Sequence, residues 1–175
     1  MAYATEVDLA IGHVADTWTG SSPPRVAALV IDNEFGHGVL EATEAALGSV
    51  LPGAELVIMH HDPASPILDT EVVSLLESDP DVFLALTAGN PCLLAIQEVG
   101  AALDQPDLRF LLSPCHDPNA FLIPAGPAAD AGVAEVGFDP MADRVGALGQ
   151  FVEVSRTSLE TEPAIGCRSR WDQER

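Results

Sequence analysis

The chain has 175 residues, 47% of them hydrophobic and 5% aromatic, with 27 acids against 7 bases for a formal charge of −20. Every base is arginine, which excludes the chemistries built on lysine: the P-loop, the pyridoxal phosphate Schiff base and the kinase lysine. The charge repels phosphate backbones and anionic headgroups, arguing against nucleic acid and membrane-surface partners, and there is no apolar run long enough to span a bilayer.

The length fits one domain. In chain order, an opening helix is expected from Thr5 to Trp18, with Val7, Ile11, Val14 and Trp18 on one face. Gly20-Ser21-Ser22-Pro23-Pro24 is the turn into a first strand, Val26 to Ile31. Val39, Leu40, Thr43, Ala46, Leu47 and Val50 then recur at helical spacing, followed by a strand from Leu56 to Met59. Ile67, Val72, Leu75 and Leu76 suggest a second crossover helix before the strand Val82 to Leu86. A third helix carries Cys92, Ile96, Val99 and Leu103; Asn90 is its expected cap, Pro91 suits its first turn, and Asp104-Gln105-Pro106 ends it. Strands at Leu108 to Leu112 and, more weakly, Val133 to Phe138 follow, then a helix near 141–157 and a polar tail.

Short apolar runs without alternation are what strands buried on both faces look like, and their starts recur at roughly one βα unit. The expected fold is therefore α/β: an open, mostly parallel sheet with helices on both faces.

In such sheets ligands bind beyond the carboxyl ends of the strands. Four segments fall there: Asp32 to Gly38, His60 to Pro66, Thr87 to Pro91 and Ser113 to Asn119. Their polar residues also serve as ordinary caps and turns. Gly36-His37-Gly38 is a poor dinucleotide fingerprint, because Glu41 stands where a small residue must let helix and strand approach. No G-x-S-x-G serine elbow exists. His60, His61, Asp62, Cys115, His116 and Asp117 offer metal-ligating types, but adjacent histidines on an extended chain point to opposite faces, so no metal or cofactor is assigned. Three cysteines lack C-x-x-C spacing. Cys92 and Cys115 lie at the ends of neighbouring runs, either close enough to bridge or as two small buried thiols.

Arg25 to Gly38, an apolar strand running through Asp32-Asn33-Glu34-Phe35 into Gly36-His37-Gly38, resembles the opening of the second lobe of type I periplasmic binding proteins of the branched-chain amino acid (Leu/Ile/Val) receptor type. Asp79-Pro80-Asp81-Val82-Phe83-Leu84, Gln97-Glu98-Val99-Gly100, the stretch Phe121 to Val133 and the helix Asp143 to Glu153 continue the resemblance in order. It implies a hinged, non-catalytic receptor lobe of an ABC-type uptake system that takes an amino acid or similar small polar ligand and partners a transporter permease. By position, Phe35 and Asn33 match the first cleft segment, Thr87, Ala88 and Asn90 the second, and Cys115, His116 and Asp117 the third. Cys115 stands where amino-acid-binding members place an acid for the ligand ammonium, and Asp117 is the expected substitute.

The resemblance also implies domain limits: residues 1–24 lead in from a first lobe, 25–157 form the ligand-binding lobe and 158–175 a polar tail. One lobe alone is expected to bind weakly and to self-associate through the face its partner lobe would cover. The family implies the periplasm or cell envelope. The opening residues lack a secretory leader's basic and apolar regions, which implies the cytoplasm if nothing precedes them. The alternative is a stand-alone flavodoxin-like α/β protein that binds a small cofactor or acts as an enzyme.

Overall fold

Apolar runs and turn clusters alternate along the chain, and the strands form within the apolar runs. The computed structural model describes residues 2–102, 108–115, 117–128 and 133–135. They form α1 (Ala2–Thr17), β1 (Arg25–Ile31), α2 (Glu34–Val50), β2 (Glu55–His61), α3 (Asp69–Leu76), β3 (Val82–Leu86), α4 (Asn90–Ala101), β4 (Leu108–Leu111) and β5 (Val133–Glu135), with short helical turns between Ser113 and Ala128. The expected Leu103 to Pro106 helix end, the strand beyond Glu135, the helix near 141–157 and the tail lie outside the described residues.

The five strands make one sheet in the order β2-β1-β3-β4-β5, and each neighbouring pair is parallel. Parallel neighbours need long crossovers, which α2, α3 and α4 supply. Strand alternation divides the interior into two cores. Val26, Ala28 and Val30 of β1, with Val82, Leu84 and Leu86 of β3, meet Val7, Ala10, Ile11 and Val14 of α1 and Val39, Ala46 and Leu47 of α2. Ala27, Leu29, Phe83 and Ala85 meet Leu68, Val72 and Leu75 at α3 and Cys92, Ala95, Ile96 and Val99 of α4.

Two expectations need correction. The Leu56 to Met59 run was expected to be covered on both faces, yet β2 is an edge strand and these residues are half-buried. An apolar run reports burial tendency and not position in the sheet. Asn90 was expected to cap α4; it is instead the first helical residue and is exposed. Gly89 takes the cap at φ 70°, a left-handed backbone that favours glycine. Pro91 sits in the first turn as expected.

At the amino edge, Arg25 clips three strands together. Its amide donates to Asp81 Oδ2 at 2.8 Å, and its carbonyl accepts from the Asp81 amide at 2.9 Å. Its guanidinium donates to Glu55 Oε2 at 2.9 Å and to the Ser78 carbonyl. The Glu55 hydrogen bond and charge raise the guanidinium pKa above its ordinary value. This clip keeps the amino edge closed and leaves the carboxyl edge to the loops.

Candidate functional site

β1 and β3 are neighbours, but the helices that follow them leave toward opposite faces: α2 toward the first core and α4 toward the second. The chain therefore parts at the carboxyl edge between β1 and β3, which is where open α/β sheets form a ligand crevice. Asp32 and Asn33 lie on one lip, and Ala88 and Asn90 on the other.

On the first lip, the Asp32 amide donates to the His61 carbonyl at 2.9 Å, extending the β1–β2 ladder by one residue. Asn33 caps α2: its side-chain oxygen accepts from the Gly36 amide at 2.9 Å. Phe35 is half-buried, and its ring meets Tyr3 of α1 edge-on at 4.9 Å between centroids. His37 Nε2 lies 2.9 Å from Asp32 Oδ1, with both side chains exposed.

Beneath the second lip, Thr87 is fully buried and its hydroxyl lies 2.9 Å from His61 Nε2. His61 Nδ1 lies 3.1 Å from the Asp62 carbonyl. A carbonyl only accepts, so Nδ1 carries a proton; in the neutral ring Nε2 then accepts from the Thr87 hydroxyl. Both buried polar groups are thereby satisfied. Because β1 stands between β2 and β3, this bond passes over the end of β1 and ties the two flanking strands together.

Cys92 and Cys115 are joined by a disulfide, with Cα atoms 5.3 Å apart. It staples the first turn of α4 to the turn after β4. Cys115 is fully buried, and its sulfur lies 3.5 Å from the Thr87 carbonyl. Asp117 is exposed; its Oδ1 accepts from the Asn119 amide at 2.9 Å and the Ala120 amide at 3.2 Å.

The residues expected at the cleft thus divide by environment. Ala88, Asn90, Asn33 and Asp117 lie at least partly open at the carboxyl edge. Phe35 leans on α1, Thr87 is committed to His61, and Cys115 is buried in its bridge. His116 lies outside the described residues. The candidate metal-ligating set is not brought together: His60 is exposed, His61 faces Thr87 on the other side of the sheet, and Cys115 is bonded to Cys92. His37, not among the residues expected at the cleft, also stands at this edge. Its signal was an acid five residues before a histidine at a strand-to-helix junction, with a second histidine at the end of the next strand.

No protein-family model matches the chain, and no curated protein matches it by sequence. Solved structures do. A fatty acid ABC transporter substrate-binding protein from Thermomonospora curvata superposes with a TM-score of 0.63 at 14% identity, over 76% of this chain and 33% of that one. An extracellular ligand-binding receptor from Verminephrobacter eiseniae gives 0.62 at 19% identity, over 79% and 38%. A putative branched-chain amino acid ABC transporter from Rhodospirillum rubrum gives 0.60 at 18% identity, over 76% and 36%. The chain spans about a third of the length of these structures. The likeness establishes the fold: an open, parallel α/β sheet of the kind found in type I periplasmic binding proteins.

Proposed function

We propose that this chain is a ligand-binding lobe of a solute receptor serving an ABC-type uptake system, and that it acts on its ligand by holding it rather than by chemistry. The observation that carries this reading is the superposition of three quarters of the chain on part of several such receptors, and the parting of the chain between β1 and β3 at the carboxyl edge supports it. The proposed ligand is an amino acid or similar small polar molecule. Asn90 and Ala88 would meet it from one lip and Asn33 and Phe35 from the other, with Asp117 supplying the charge for an ammonium group.

A disulfide persists in oxidising surroundings, which supports placing the protein in the cell envelope or beyond. Among the described residues, no helix is long and apolar enough to cross a membrane.

One lip-lined crevice buries only one side of a small ligand, so affinity in the millimolar class, on the order of −4 kcal/mol, is expected of the chain alone. The test is backbone NMR titration of the full chain with a panel of free amino acids and small carboxylates. Saturable shifts confined to Asn33, Phe35, Ala88, Asn90 and Asp117, weakened in Asp117→Asn for ammonium-bearing ligands only, are expected. Absence of saturable shifts with the whole panel would overturn the proposal. So would a purified protein that carries a bound chromophore or nucleotide, the outcome expected of a flavodoxin-like cofactor protein.

A further inference from the structure

Asp32, His37 and His60 each offer one donor atom, and these three atoms lie within 4.8 Å of one another. All three side chains are exposed. They come from three places in the chain: the turn after β1, the first turn of α2 and the end of β2. Their backbones are fixed independently. The Asp32 amide is held by the His61 carbonyl, α2 is started by the Asn33 cap, and His60 is paired in register with Val30. The same alternation that turns His61 inward to Thr87 turns His60 to the α2 side, where its ring stands 5.8 Å from that of His37.

We propose that Asp32, His37 and His60 form a binding site for a divalent transition-metal cation, one that stands whether or not the receptor reading does. Two imidazoles and a carboxylate are the donors of borderline ions such as zinc, nickel and copper, and not of magnesium or calcium, which take oxygen. Bond lengths near 2.0–2.1 Å to nitrogen put tetrahedral donors about 3.4 Å apart. The Asp32–His37 pair is already closer than that at 2.9 Å, and small rotations of exposed side chains bring the third donor in. Water completes the coordination from the open side.

On binding, the Asp32–His37 hydrogen bond is exchanged for two metal bonds. Nε2 of His37 gives up its proton to Nδ1 or to solvent and offers its lone pair to the ion. The amino end of α2 is a positive pole and opposes a cation there. Asp32, Glu34 in the same turn and the chain's charge of −20 oppose that pole.

The experiment is calorimetric titration of the full chain, purified without a histidine tag, with zinc chloride in excess magnesium so that diffuse acidic binding is saturated. Saturable uptake of one zinc per chain is expected. His37→Ala, His60→Ala and Asp32→Asn are each expected to weaken it by about tenfold or more. These exposed positions should leave the melting temperature of the metal-free protein unchanged, and the more conservative His60→Asn and His37→Gln guard against a variant that does not fold. His13→Gln, remote on α1, should bind as the unsubstituted chain does. No saturable uptake, or uptake unaffected by the His37 and His60 substitutions, would overturn the site.

Discussion

Gly36 and Gly38 are two residues apart in one helix, yet space treats them oppositely. A Cβ at Gly36 would stand 1.9 Å from the Ile31 carbonyl oxygen, because α2 begins almost against the end of β1. A Cβ at Gly38 would meet nothing within 4 Å. Gly36→Ala is therefore expected to destabilise the fold by about 1–3 kcal/mol or more through overpacking. Gly38→Ala should stabilise it by up to about 1 kcal/mol, the helix preference for alanine over glycine. Urea unfolding of the two variants checks both signs. The buried His61–Thr87 pair gives a second residue-scale expectation. Thr87→Val keeps shape but strips the donor from His61 Nε2, for a loss of about 1–3 kcal/mol, while Thr87→Ser, which keeps the hydroxyl, should lose less.

At the scale of elements, the Cys92–Cys115 bridge joins α4 to the turn after β4 across a separation of 23 residues. Closing a loop of that length restricts the unfolded chain by about 3 kcal/mol. Cys92→Ser with Cys115→Ser, or reductant added to the unsubstituted chain, should lower the unfolding midpoint by a corresponding amount; equal midpoints with and without reductant would count against the bridge. Both cysteines were visible in the sequence as neighbours at strand ends, but only their approach in space distinguishes a bridge from two buried thiols. The cap of α4 shows a similar limit. Asn-Pro is a good helix-start signal, and it was right to within a residue; the choice of Gly89 over Asn90 depends on a positive φ that composition does not disclose.

For the whole molecule, sheet order decides how much each strand matters. Leu29 lies on β1, between two neighbours, and is fully buried, whereas Leu56 lies on the edge strand β2 and is half-buried. Leu29→Ala should cost about 2–5 kcal/mol and Leu56→Ala distinctly less, measured as the difference in unfolding free energy at constant denaturant dependence. Nothing in the two apolar runs ranks them this way.

The strands among the described residues, the helix alternation and the parallel sense were legible in the sequence, because each follows from local periodicity: unbroken apolar runs mark strands, three-to-four spacing marks the crossovers, and crossovers of that length return the chain in the same direction. The opposite facing of His60 and His61 was equally legible, since the extended backbone imposes it. What only the tertiary structure decided was adjacency. That β2 sits at the edge, that His61 reaches over β1 to Thr87, that Phe35 leans on Tyr3, and that Asp32, His37 and His60 converge all depend on strand order and register. Those are set by the mutual fit of two cores built from residues far apart in the chain, a non-local energy that no window of sequence contains.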